Sequence, residues 1–211
     1  HGTWGQGNSA VGDFSARVPL IIADPRLPAA QTIADAVRTV DVAPTLLEAA
    51  GVDLPKGLAG RSLLEHREFR PVYSETYYPR VHLGWSELNS VIDGQHHYIE
   101  APRPELYDVV ADPRQTRDLV ADRRDVVRAL RLVLSRFPSD FSAPEASSRE
   151  EREKLAALGY LGGAAASTSG PRPNPRDRIH VLDQVKVAFG LSAGGRDAEA
   201  VVALRGILET E

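Results

Sequence analysis

No cysteine and no methionine occur among the 211 residues. The first absence excludes disulfides, thiolate metal sites and a cysteine nucleophile. The second reads as a chain that was processed or sampled from a longer one, since translation starts on methionine; any targeting segment then lies upstream of His1. Lysine is scarce: Lys56, Lys154 and Lys186 stand against 22 arginines, a bias we attribute to genomic base composition. Long apolar runs are missing too. The longest, Val18 to Ala23, falls far short of the roughly 20 residues of a membrane span. Basic residues are outnumbered by acidic ones, 25 to 29, and the net charge of -4 argues against a nucleic-acid binder. With 42% hydrophobic and 26% charged residues the chain is neither collagen-like nor a disordered acidic tail. Its length suits one large domain or two small ones.

What is present begins with a glycine-rich loop, residues 1–16, carrying four glycines in its first 12 positions. Arg17 to Ala23 is continuously apolar after its first residue, as in a parallel strand buried on both faces, and Asp24-Pro25 stops it. Such a strand needs neighbours that the chain hardly offers, so the N-terminal part of its domain is expected upstream. Asp41 to Gly51 reads as a short helix: Asp41 caps it, Pro44 fits its first turn, Gly51 ends it, and Val42, Leu46, Leu47 and Ala50 form its apolar stripe. Residues 70–110 hold short antiparallel segments, with Asp93-Gly94 as a hairpin turn. Asp122 to Phe137 is an amphipathic helix with Val126, Val127, Leu130, Val133, Leu134 and Phe137 on one face, and Asp122 with Asp125 resembling a capping box. A charged helix, Ser148 to Leu158, precedes a Gly/Ser/Pro-rich linker. Arg178 to Ser192 and Asp197 to Glu209 then form a helical hairpin around Gly194-Gly195. The fold class is α/β, divided at 1–138, 139–177 and 178–211.

Several chemistry-bearing residues stand out. Tyr77, Tyr78, Arg80, His82 and Trp85 occupy a connection between strands that either overhangs a site or is a satisfied turn. His96-His97 is a poor metal pair, because adjacent strand residues point to opposite faces; a solvated basic position is the better reading. Trp4 is either a pocket wall or an aromatic packed under its own loop.

The strings His1-Gly-Thr-Trp-Gly-Gln-Gly, Arg17-Val-Pro-Leu-Ile-Ile, Val40-Asp-Val-Ala-Pro-Thr-Leu-Leu-Glu-Ala-Ala-Gly-Val52 and Gly60-Arg-Ser-Leu-Leu64 resemble, in this order, the C-terminal third of sulfatases of the alkaline phosphatase superfamily. Arg70 to Tyr77, Gly84-Trp-Ser86, Glu105-Leu-Tyr-Asp108 with Asp112-Pro113, and Leu158-Gly-Tyr-Leu161 continue it, over about residues 1–163. The hairpin is similar to the start of a tetratricopeptide array, with Ala188, Leu191, Gly195, Ala200 and Leu204 at matching positions.

The resemblance implies sulfate-ester hydrolysis with a formylglycine nucleophile and a divalent cation, calcium by family habit. Neither the Cys/Ser-x-Pro-x-Arg motif nor the acidic metal ligands are in this chain, so both groups are expected upstream and no residue here is assigned to metal. The one catalytic position carried over is Gln6, where relatives place a sulfate-contacting lysine; an amide donates a hydrogen bond but no charge. His1, Trp4, Arg80, His82 and Trp85 are the substrate-binding candidates. The implied partner is a small-molecule or glycan sulfate ester, with a protein partner for the repeat region and an extracytoplasmic setting. The alternatives are a phosphodiester or phosphonate monoester hydrolase of the same superfamily and a non-catalytic interaction scaffold.

Overall fold

The computed structural model describes residues 18–27, 32–64, 69–137 and 170–210. They form helix α1 (Val42–Ala49), strand β1 (Val72–Thr76), short helix α2 (Tyr78–Leu83), strands β2 (Leu88–Ile92), β3 (His96–Glu100) and β4 (Glu105–Asp108), helix α3 (Arg124–Leu134) and the paired helices α4 (Ile179–Ala193) and α5 (Asp197–Thr210). The sheet is an antiparallel meander in the order β1-β2-β3-β4. Val91 faces Tyr73 and Tyr98 across the ladder, and Tyr98 faces Leu106.

These cross-strand partners give the sheet one apolar face, because pairing preserves the two-residue alternation. Val91, Tyr98 and Leu106 are fully buried there under Leu130 and Leu134 of α3, with Val126, Val127 and Val133 at the margins. The apolar stripe read from the sequence is the stripe that packs. Phe137 completes it by stacking on Tyr73 at 4.5 Å between ring centroids. The helix is shorter than its periodicity suggested, because its N-cap is Arg123 and no side chain caps it. The expected Asp122–Asp125 capping box is not made: Asp122 accepts from Arg117 at 3.2 Å instead.

The hairpin turn sits one residue later than Asp93-Gly94. Asp93 N–H bonds the His96 carbonyl at 3.1 Å, leaving Gly94-Gln95 at the centre. Gly94 has φ +102°, a conformation glycine adopts without strain. Asp93 Oδ1 accepts the N–H groups of Gln95 and His96 at 3.0 and 2.6 Å, so the aspartate fastens the turn it precedes.

Residues 18–23 pair with no strand among the described residues, and Ile21 is 88% exposed. A parallel strand requires hydrogen-bonded neighbours, and the meander's edge strands β1 and β4 do not supply them. One expectation changes here. In α1 the stripe Val42, Leu46, Leu47, Ala50 is not the buried face: Leu46 is 64% exposed, while Pro44 and Thr45 are buried. The backbone of residues 61–63 lies against that side and bonds Asp41 and Thr45.

No described helix is long and apolar enough to cross a membrane. In the hairpin, Ala188 and Ala200 are buried where α4 and α5 meet, and Gly195 at φ +73° turns the chain.

Leu130→Ala should lower the unfolding free energy by about 2–5 kcal/mol, the usual cost of truncating a packed leucine. Leu132→Ala, on the exposed side of the same helix, should cost less than about 0.5 kcal/mol. Urea melts of the two variants check the assignment of the buried face.

Candidate functional site

Between β1 and β2 the chain makes α2 rather than an open turn. Pro79 at the helix start supplies a helical φ, and Gly84 at φ +70° ends it. Trp85 N–H then returns to the Pro79 carbonyl at 3.1 Å and closes the last turn. Arg80, His82 and Trp85 are thereby gathered on one short segment. Arg80 pairs with Glu87 across that segment at 3.2 Å, both side chains being less than one-third exposed. Trp85 is buried, 6% exposed, and its ring packs against Val181 of α4 and Ile207 of α5. His1, Trp4 and Gln6 lie outside the described residues.

The chain segments leading to α2 are held by a charged knot that sequence reasoning reduced to a helix cap. The Asp41 carboxylate does not cap α1. Its side chain is 3% exposed and binds Arg38 and Arg70, each at 2.9 Å. The Arg61 N–H adds a third donor at 3.0 Å. Thr45 donates to the Asp41 carbonyl at 2.5 Å and accepts from Leu63 N–H at 3.0 Å. Gly60, at φ +96°, runs so close that a Cβ there would overlap the Val40 carbonyl. The strings 40–52, 60–64 and 70–77 therefore meet at one buried carboxylate. Arg70, just before a strand, was the available signal. Burial pushes this carboxyl up, but the donors of Arg38 and Arg61 outweigh it and hold it below the ordinary carboxylate range.

Two further clusters repeat a single solution on opposite faces of the sheet. Tyr98 donates to Glu100 at 2.5 Å, and Arg131 of α3 reaches both, at 3.0 Å to the phenol and 3.0 Å to the carboxylate. Tyr107 donates to Glu105, and Arg176 reaches that carboxylate and the phenol, the latter at 2.6 Å. Burial and the adjacent glutamate push both phenols upward, so they remain neutral donors.

The histidine pair differs from expectation. His96 and His97 are both buried, 6% and 1% exposed, because β3 is an inner strand covered on either face. His97 Nδ1 lies 3.0 Å from Gln115 Oε1. His96 Nδ1 lies 3.6 Å from Asp93. Among the described residues no group of three or more His, Asp or Glu is placed to hold a metal ion.

The family model described as N-sulphoglucosamine sulphohydrolase, C-terminal, matches residues 8–137. Arylsulfatase K of Canis lupus familiaris is 28% identical over 144 residues, covering 56% of this chain and 25% of that protein. An extracellular sulfatase, the SULF-1 homolog of Drosophila melanogaster, is 39% identical over 59 residues, 28% of this chain and 5% of its own. A solved structure in complex with its substrate D-glucosamine-2-N,6-O-disulfate is 28% identical, covers 46% of this chain and 22% of that one, and superposes with a TM-score of 0.40. The chain spans a quarter or less of the length of these relatives.

The depressed carboxyl of Asp41 gives stability that is complete above the unfolded value of about 3.9 and is lost as pH falls through the folded one. Urea midpoints measured from pH 6 down to pH 2 should fall for the native chain. Asp41→Asn should lose on the order of 3 kcal/mol at pH 6 and show a flatter dependence below pH 4. An unchanged slope would place the acid-sensitive group elsewhere.

Proposed function

The chain belongs to the N-sulphoglucosamine sulphohydrolase C-terminal family, and from that premise we propose that it is the C-terminal part of a sulfuric ester hydrolase. The observation that carries this reading is the family match over residues 8–137, which takes in α1, the meander and α3. The substrate would be the sulfate ester of a small molecule or a glycan, handled outside the cytoplasm. A fly relative named as an extracellular sulfatase supports that setting.

A formylglycine would supply the nucleophile and a divalent cation, calcium by resemblance, would stabilise charge on the transferring group. With neither the Cys/Ser-x-Pro-x-Arg motif nor the family's acidic metal ligands in the sequence, neither group is assigned to residues of this chain. Both belong upstream, and the chain alone is inactive.

Its own contribution is to the substrate side. Gln6 takes the place of the lysine that contacts sulfate in the family, offering an amide donor without charge. His1 and Trp4 flank it in the glycine-rich loop and would form the pocket wall. Arg80, His82 and Trp85, on and just after α2, would be the further substrate-binding residues. The α4–α5 hairpin is read as the first repeat of a tetratricopeptide array, which would take a protein partner.

Gln6 lacks the charge expected opposite a sulfate, which weakens the sulfate reading and leaves a phosphodiester or phosphonate monoester hydrolase of the same superfamily as the second. Relative rates on sulfate and phosphate esters of the same phenol separate the two.

The isolated chain with an aryl sulfate and calcium should give no turnover above buffer; clear turnover would overturn the reading. In the intact protein, Gln6→Lys should raise kcat/KM on the sulfate ester by about 10- to 100-fold, less than the roughly 100- to 1,000-fold carried by a whole transition-state donor, because the amide already donates. A fall in that ratio would remove Gln6 from the site.

A further inference from the structure

Residues 173–178 lie at the end of the Pro-rich stretch, yet they are fastened to the sheet. Ser86 N–H donates to the Pro173 carbonyl at 2.9 Å. Asn174 donates its side-chain amide to the Arg103 carbonyl at 3.2 Å, and Arg103 pairs with Asp177 at 2.6 Å. Arg176 enters the Glu105–Tyr107 cluster on β4. The polar contacts thus fix the start of α4 against the sheet.

The apolar contact is centred on one residue. Trp85 packs against Val181 and Ile207, with Leu83, Leu182 and Val185 around it. The same Trp85 closes α2 through its backbone N–H. Its ring is held by the hairpin while its backbone holds the helix that carries Arg80 and His82. The other end of this link is the Arg80–Glu87 pair, which ties α2 to the residue just before β2. A displacement of the hairpin therefore has a direct mechanical route to α2, centred on the Trp85 indole with Leu83 beside it.

We propose that Trp85 is a positioning residue through which the α4–α5 hairpin sets the placement of α2, and with it Arg80 and His82. The catalytic half of this inference rests on the function proposed above; the mechanical half does not. Whatever loads the hairpin, a stacked repeat or a bound protein, then adjusts the segment offered to substrate.

Amide hydrogen exchange in the intact protein separates the two halves. Val181→Asp alters the hairpin without touching α2 in sequence. It should speed exchange at Val81, Trp85 and Ser86 by about tenfold or more, while Tyr98 and Leu106 in the sheet keep their protection. Trp85→Ala should reproduce the exchange pattern and Trp85→Phe should restore most of it. Unchanged exchange in α2 alongside a loosened hairpin overturns the coupling. If Val181→Asp does not fold, Val181→Ala should give the same pattern at smaller amplitude. On the sulfate ester, Val181→Asp and Trp85→Ala should each lower kcat/KM, and the double variant should be no worse than either single one. Accelerated exchange with unaltered kcat/KM overturns the positioning role alone. Loss of sulfate-ester activity in the unsubstituted protein overturns the hydrolase reading instead.

Discussion

A carboxylate removed from water must be paired, and the packing around Asp41 follows from that requirement. Two guanidiniums and a backbone N–H converge on it from positions 38, 61 and 70. Each donor fixes a different stretch of chain, so the charge acts as a spatial anchor for segments lacking regular structure of their own. Residues 52–64 contain neither helix nor strand, and their course is set by Asp41, Thr45 and the tight passage at Gly60. Removing the carboxylate would leave two partly buried cations without this partner, which costs more than the pair itself contributes.

The meander handles its polar side chains in the same manner. On each face a tyrosine two residues from a glutamate donates to it, and an arginine from a packed element satisfies the rest. Arg131 arrives from α3 and Arg176 from the turn before α4. The repeated arrangement lets both faces be covered without stranding a phenol or a carboxylate. It also means that the two covering elements are tied to adjacent strands, β3 and β4, back to back.

The parts of the fold legible in the sequence are those set by local periodicity. The apolar face of α3, the β2–β3 hairpin and the two helices around Gly194-Gly195 depend on patterns contained within one or two elements. What escaped needed long-range information. Asp41 precedes a helix, so it was read as a cap; its true partners, Arg61 and Arg70, are 20 and 29 residues away. His96-His97 reads as polar, yet an inner strand covered on both faces buries it regardless of composition. Of the proposed site, Arg80, His82 and Trp85 lie on one short segment because they are neighbours in sequence. That Trp85 faces the hairpin rather than open space depends on Val181 and Ile207, about a hundred residues downstream, and no local pattern reports it.

The fastening of residues 173–178 alters the meaning of the chain before it. Phe137 ends on Tyr73 and Pro173 begins on Ser86, so both points belong to the same body. A tether between two bodies sets how far apart they wander; a segment whose ends are pinned to one body sets no such distance. The hairpin's place on the sheet is therefore set by Ser86, Arg103, Glu105 and Trp85, and not by the chain that leads to it.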